Sequence, residues 1–387
     1  MNTKKNIFII GFIVVIAVSA AVYINSTKSK SNKTQKEPVK IGATLALSGS
    51  LAYFGQAEAN GFQMAVDEIN SQGGVNGRNI DLIIEDNAGE TKQAITTVNK
   101  FLQTDSVDIV ISAFTHITEA VKEVVAPESK LMLYVSTYRG IAEENPLFFR
   151  DYFDAFDSGV VIARSVQQQG YTKIGFLGEI STLCNEFEKG FTNKETEYGI
   201  KIIAKENYPK EEKDLKTHLL KLKSANPEAI VMCTWRHEPI VMKQLEELDM
   251  INTQTFHLAA PYLPSSDTAE TRALYENNNT VSSWYGFVEQ NTTVQQDDFV
   301  RRYQNQFGDK PNSDAMYAYD DTYVLKQALE RCDNENRIQD STCLSEKLLQ
   351  TDFNGVAGRL LFNEFGVSNR DVLLIKVIDG SWTPLVE

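Results

Sequence analysis

From Val39 onward the chain alternates short apolar runs with amphipathic helical patterns, and few folds accept such an alternation. The spacing predicts strands at 40–47, 80–85, 107–112, 131–135, 173–177, 200–206, 229–233 and 255–259. Between them, apolar residues recur at helical spacing over 57–72, 91–104, 119–128, 160–169, 187–198, 215–224 and 238–248. The first of these helices has Phe62, Ala65, Val66 and Ile69 on one face and stops at Gly73-Gly74. Strands that alternate with helices build parallel sheets covered on both faces, an α/β architecture. Such sheets bind ligands beyond the carboxyl ends of their strands. Here those ends are rich in Ser, Thr, Tyr, Asn and Trp, residue types suited to cradling a small polar molecule.

At 387 residues the chain is long enough for two domains, each able to bury its own core. Its net charge is −14; the first 37 residues hold six lysines and one acid, which leaves the remainder at −19. So acidic a body repels phosphate backbones, and nucleic-acid binding is not expected. The charge otherwise speaks only for solubility.

Lys4 and Lys5 precede an apolar run over 7–24, broken only by Gly11 and Ser19. This reads as a secretory signal or as a membrane anchor, 18 residues being just enough to span a bilayer. Val18-Ser19-Ala20 suits cleavage, while the lack of a nearby cysteine excludes lipid attachment there. Lysines flank the run on both sides, so charge says little about orientation. The body is placed outside the membrane because the run is terminal and nothing else in the chain spans one. Residues 25–37, rich in Ser, Lys, Asn and Thr, read as a flexible linker.

The four cysteines fit an oxidising compartment. Cys332 and Cys343 bracket a polar stretch between two helical patterns, and a disulfide clipping that loop is the expectation. Cys184 and Cys233 fall in separate βα units and read as buried thiols that could be free. Histidines occur only at 116, 218, 237 and 257, without metal-ligand spacing, so neither a metal nor a cofactor is expected. No nucleophile elbow, phosphate loop or dinucleotide fingerprint is present, and Asp320-Asp321 reads as first-turn acids complementing a helix dipole. An enzyme is not expected.

Several stretches together resemble a known family. They are 40–55 (KIGATLALSGSLAYFG), 60–78 (NGFQMAVDEINSQGGVNGR), 85–99 (EDNAGETKQAITTVN), 318–323 (AYDDTY) and 355–366 (GVAGRLLFNEFG). In this order and at this spacing, over about residues 39–387, the chain resembles the type I periplasmic binding proteins. The resemblance is to the ABC-transporter solute receptors for branched-chain amino acids, amides and urea. It implies two lobes, each a mainly parallel sheet flanked by helices, joined by a three-crossover hinge. The lobes would comprise 38–154 with 286–356 and 155–285 with 357–387. The hinge would lie at 154–157, 287–289 and near Gly355.

The resemblance implies an extracytoplasmic monomer, tethered by its N-terminal segment or secreted after cleavage. It would close on a small amino acid, amide or carboxylate and deliver it to an ABC transporter permease. The alternative is a membrane-tethered sensor of the same fold; only six residues precede the apolar run, so no output domain is expected across the membrane. The implied ligand residues in the first lobe are Tyr53 or Phe54 as an aromatic wall, Thr115, His116, Thr118, Ser136, Thr137, Tyr138 and Arg139. In the second lobe the matching loops are Leu183–Cys184 and Trp235–His237, and the implied ligand residues are Trp235, Arg236 and Tyr262. Thr115 or Thr118 equally reads as the cap of a helix opening at Glu119.

The chain also departs from the amino-acid-binding members. The region that would supply an acid for a ligand ammonium reads Ala260-Pro261-Tyr262, and a tyrosine near Leu183 is missing. Asp86 or Glu179 could substitute for that acid. Arg139 with Arg236 hints at an anionic solute.

Overall fold

The computed structural model describes residues 36–235, 237–259, 267–285, 292–368 and 370–385. The N-terminal apolar run, Arg236, Tyr262 and the hinge segment expected at 287–289 lie outside the described residues. Among the described residues, no helix is long and apolar enough to cross a membrane.

The first sheet is built from β1 (Val39–Leu45), β2 (Ile80–Asp86), β3 (Ile109–Ala113), β4 (Leu131–Val135) and β5 (Phe148–Arg150). Its order is β2-β1-β3-β4-β5, and every pairing is parallel. Every residue of β3 and β4 is buried, as a parallel sheet covered on both faces requires. The cover comes from α1 (Ala52–Ser71), α2 (Thr91–Lys100) and α3 (Thr115–Val125). Phe62, Val66 and Ile69 of α1 join one core, while Ala94, Val98, Ile117 and Val121 of α2 and α3 join another.

The chain then enters α4 (Ala155–Gln168) and builds a second sheet from β6 (Lys173–Glu179), β7 (Lys201–Tyr208), β8 (Ala229–Cys233), β9 (Gln254–Leu258) and β10 (Val281–Tyr285). Its helices are α5 (Thr182–Asn193), α6 (Lys216–Ser224), α7 (Glu238–Glu247) and α8 (Ala269–Asn277). Helices α4 and α5 meet almost backbone to backbone. A Cβ on Gly190 would lie 1.9 Å from the Phe156 carbonyl oxygen, so only glycine fits there.

Three more helices follow: α9 (Val294–Phe307), α10 (Ser313–Asn334) and α11 (Ser341–Leu348). Helix α10 lies against α1 so closely that a Cβ on Gly61 would stand 2.2 Å from the Ala315 carbonyl oxygen. A hairpin of β11 (Asp352–Gly355) and β12 (Gly358–Leu361) follows. Last, β13 (Val372–Ile378) and β14 (Ser381–Pro384) add antiparallel strands to the second sheet, whose order is β14-β13-β10-β9-β8-β6-β7.

Two described stretches carry the chain between the sheets, 151–154 outward and, at its return, 362–368 with 370–371. They run side by side: Arg150 N donates to Gly366 O at 2.8 Å and Ser368 N to Arg150 O at 2.8 Å. The guanidinium of Arg370 donates to both Asp151 oxygens at 2.9 and 2.5 Å and lies 3.6 Å from Asp320. Tyr152 donates to Asp314 at 2.6 Å, and its hydroxyl oxygen lies 3.2 Å from that of Tyr285. The turn near Gly355, expected to be a crossing, is instead the tip of the β11–β12 hairpin. It is pinned to α10 because Asp320 accepts from Val356 N and Ala357 N, each at 2.8 Å, and Val356 is buried among Met64, Phe299 and Tyr319.

Cys332 and Cys343 form a disulfide across the loop between α10 and α11. Cys184 and Cys233, whose state the sequence left open, are also bonded, with Cα atoms 5.5 Å apart. The strand order explains the pairing. Strand β8 lies beside β6 and not beside β7, which brings the end of β8 next to the first turn of α5.

Candidate functional site

In both sheets the strand order reverses direction, between β1 and β3 in the first and between β6 and β8 in the second. A crevice opens beyond the carboxyl ends at such a reversal. The residues singled out from the sequence follow β1, β3 and β4 on one side and β6 and β8 on the other.

Beyond β3 the chain turns directly into α3 through Phe114, whose φ of 66° is unusual for a bulky residue. The helix therefore opens at Thr115, four residues before the Glu119 expected from its apolar pattern. Phe114 contributes no side-chain cap. The amides of Thr115, His116 and Ile117 precede the first intrahelical bond, Thr118 N to Phe114 O at 2.9 Å, and carry the positive end of the helix dipole. Phe54, 2% exposed, packs edge-on against Phe114 at 6.2 Å and fixes this turn. Tyr53, its T-shaped neighbour at 5.0 Å, is 42% exposed. Of the two aromatics, Phe54 is core and Tyr53 is surface.

Thr115 and Ser136 share a hydrogen bond between hydroxyls at 2.7 Å, and Ser136 Oγ accepts from Tyr138 N at 3.2 Å. This links the loop after β3 to the loop after β4, with Thr137 half-buried between its partners. Thr118 behaves differently. It is wholly buried and bonded to Ser112 at 3.0 Å, so it holds α3 to β3 and neither caps the helix nor faces solvent. His116 is exposed, its Nε2 3.2 Å from the Gly89 carbonyl oxygen.

Asp86, one candidate for meeting a cation, is occupied by its own surroundings. It accepts from Leu47 N at 2.9 Å, Ala88 N at 2.7 Å and the Ser48 hydroxyl at 2.6 Å. Burial raises its pKa, but these hydrogen bonds, led by that of Ser48, outweigh burial and hold the carboxyl below its ordinary value. Glu179, the other candidate, is buried at the end of β6.

Arg139 does not stand as the open cation the sequence suggested. Its Nε donates to Asp154 at 2.9 Å, Nη2 lies 2.6 Å from the other Asp154 oxygen off the hydrogen-bonding line, and Asp157 is 3.1 Å away. The guanidinium also lies 5.4 Å from the Phe156 ring centroid. Burial pushes the Asp154 carboxyl up, yet Arg150 and Arg139 together bring it below the usual range.

In the second sheet Ser181 caps α5 by accepting from Cys184 N at 3.3 Å. Leu183 is partly buried, and Cys184 is tied to the end of β8 by its disulfide. Thr234, just past β8, is buried and bonded to His257 at 2.7 Å. Trp235 is half-buried. His237 Nδ1 lies 3.4 Å from the Tyr208 hydroxyl.

Between the lobes lies a cavity of ≈ 440 Å³. Glu119 and Tyr138 line it from the first lobe, and Thr182, Asn185, Glu186 and Lys189 line it from one face of α5. Beyond Leu183 and Cys184 in its first turn, this face of α5 was not singled out from the sequence. Its polar residues at i, i+3, i+4 and i+7 are the signal that could have found it, but that spacing equally describes a solvated face. Among the described residues no group of acids, cysteines and histidines could hold a metal ion.

Residues 38–381 match the family model described as periplasmic binding protein. The curated relatives include Leu/Ile/Val-binding protein homolog 2 of Brucella abortus, 28% identical over 197 residues. That match covers 48% of this chain and 51% of the relative, so the chain spans about half the length of that relative. Leu/Ile/Val-binding protein homolog 7 of Brucella melitensis is 24% identical, with 76% of this chain and 77% of the relative covered. Among solved structures, the substrate-binding protein LivJ of the branched-chain amino acid transporter of Streptococcus pneumoniae, in complex with isoleucine, superposes with a TM-score of 0.75. It is 21% identical, with 90% of this chain and 99% of that one covered. A solute-binding protein of an ABC transporter from Rhodopseudomonas palustris, in complex with 3,4-dihydroxybenzoic acid, superposes at 0.74 with 17% identity, covering 89% and 95%. At such identities the likeness is one of fold, and that fold is the two-lobed one described above.

Proposed function

The chain belongs to the periplasmic binding protein family, and from that premise we propose that it is an extracytoplasmic receptor for a small polar solute. It captures the solute between its lobes by hinge closure and delivers it to an ABC transporter permease. The observation that carries this reading is the cavity bounded by both lobes and lined by Tyr138, whose backbone amide donates to Ser136 Oγ. A solute carboxylate or carbonyl would be met by the first-turn amides of α3 and by Thr115, Ser136 and Tyr138. Tyr53 would cover it from the rim of the first lobe, and Trp235 would approach from the second. Each polar group stripped of water on closure needs such a partner, since an unmet one costs about 1–3 kcal/mol.

An amino acid or amide fits better than a solute with a second negative charge. Arg139 is already neutralised by Asp154 and Asp157. The names of the relatives, Leu/Ile/Val-binding proteins, point the same way. Closure requires contacts from both lobes to one molecule, because a ligand that favours neither arrangement shifts nothing.

Isothermal titration of the full chain with L-leucine, L-isoleucine, L-valine, their amides, urea and small dicarboxylates tests the reading. One solute class should bind at one molecule per chain. Tight binding of dicarboxylates alone would overturn the amino-acid assignment, and no binding by any member would count against solute capture itself.

A further inference from the structure

Asp154 stands where three elements meet. It is the N-cap of α4, accepting from Asp157 N at 3.1 Å, and α4 packs on α5 and the second sheet through Ile162, Ala163 and Val166. Its two oxygens also receive the guanidinium of Arg139, which comes from the Ser136–Arg139 loop of the first lobe. A second guanidinium, Arg150 at the end of β5, lies 3.5 Å from Asp154 Oδ2. Arg150 is wholly buried; it donates to the Ser136 carbonyl oxygen at 2.7 Å and to the Phe153 carbonyl oxygen at 2.5 Å.

These contacts form a short chain of groups. Ser136, whose hydroxyl holds Thr115, is gripped through its carbonyl by Arg150. Arg150 faces Asp154 and holds the crossover at Phe153. Arg139, three residues past Ser136, reaches the same carboxylate and adds Asp157 and the Phe156 ring in the first turn of α4. The loop that carries the candidate solute hydroxyls and the first helix of the second lobe therefore share one carboxylate. Charge-assisted hydrogen bonds are short and directional, so the loop and the helix cannot move independently without breaking them.

We propose that Asp154, held by Arg139 and Arg150, is a positioning residue that couples the Ser136–Arg139 loop to the angle between the lobes. Displacement of the loop changes where Arg139 can meet Asp154, and α4 follows because Asp154 is its cap. The inference rests on hinge closure as the motion of the protein and not on which solute is bound, so its test uses no solute.

The test is a distance distribution between two spin labels in the ligand-free full chain. The labels sit at Lys92 in α2 and Lys210 beyond β7, both exposed, each changed to cysteine. The four natural cysteines are paired and do not react. Asp154→Asn keeps an N-cap oxygen but removes the charge. Arg139→Gln removes the interlobe guanidinium, and Arg359→Gln removes an exposed pair with Asp352 as a control. The expected result is an about tenfold change in the ratio of lobe arrangements in Asp154→Asn and in Arg139→Gln, a size suited to losing one partly buried charged pair. The control should keep the parent distribution. The inference is overturned if both variants keep the parent distribution, even with a lowered melting temperature, or if the control moves as far as they do. If Asp154→Asn does not fold, Arg139→Gln decides alone, because its side chain is 30% exposed and lies outside the core.

Discussion

Thr115 and Ser136, 21 residues apart in sequence, join hydroxyls at 2.7 Å across the carboxyl ends of neighbouring strands β3 and β4. The bond makes one rim of two loops. Either hydroxyl can donate to the other, which leaves the second free to donate outward to an acceptor on a solute. Thr115→Val and Ser136→Ala should each weaken solute binding about tenfold or more by calorimetric titration. Their effect on unfolding free energy should stay near 1 kcal/mol, the net worth of one hydrogen bond. Thr118→Val should do the reverse, lowering stability with little direct effect on affinity, since Thr118 is buried against Ser112.

The two disulfides close loops of different length, 49 residues for Cys184–Cys233 and 11 for Cys332–Cys343. Loop-closure entropy makes the longer worth about 4 kcal/mol and the shorter about 3 kcal/mol. Paired replacement by serine, read by denaturant unfolding, should show that order. Loss of Cys184–Cys233 should in addition lower affinity, because this bond holds the first turn of α5 to the end of β8 at the cleft.

Asp320 lies fully buried between Arg370 and the β11–β12 hairpin, and burial, only partly offset by Arg370 and two backbone amides, pushes its pKa up to about 7. Burial likewise raises Asp314 to about 6. Each binds its proton more tightly folded than unfolded. Their stabilising contribution is therefore complete below about pH 4 and is lost as pH rises through 6 and 7. His257 opposes them, since burial lowers it to about 4 and its contribution is lost as pH falls from about 6.5 to 4. Burial also raises Glu58, Asp321 and Asp157, so between about pH 4 and 6 these carboxyls outweigh His257 and stability should fall as pH rises. Asp320→Asn should remove up to about 1.4 kcal/mol per pH unit of that slope, measured by thermal unfolding across pH 4 to 8.

Gly190→Ala should be costly although it adds a single methyl group. The new Cβ would meet the Phe156 carbonyl at 1.9 Å, a backbone atom that cannot swing aside. Separation of α4 and α5 should lower unfolding free energy by about 1–3 kcal/mol.

The alternation of strands and helices was legible because fully buried parallel strands read as unbroken apolar runs, as in Ile109–Ala113. The opening of α3 was not. Its first turn carries no apolar repeat and no side-chain cap, and the backbone at Phe114 does the turning. The Cys184–Cys233 pairing was hidden because adjacency of β6 and β8 is a matter of strand order, which a single sequence does not express. Arg139 was read as an open cation since its partner Asp154 lies beyond the intervening β5 and is reached only once the chain turns into α4. For the site, the loops were legible from their place after β3, β4 and β8. The α5 face across the cleft was not, because a polar helix surface looks the same facing a cavity as facing water.

Solute capture is tested most directly by thermal unfolding of the full chain against a panel of amino acids, amides, urea and small carboxylates. The account predicts a selective rise with one chemical class, about 2.7 kcal/mol at 100 times the dissociation constant and hence a shift of a few degrees, diminished in Ser136→Ala. An unchanged melting temperature across the whole panel, or a rise that Ser136→Ala leaves intact, would contradict it.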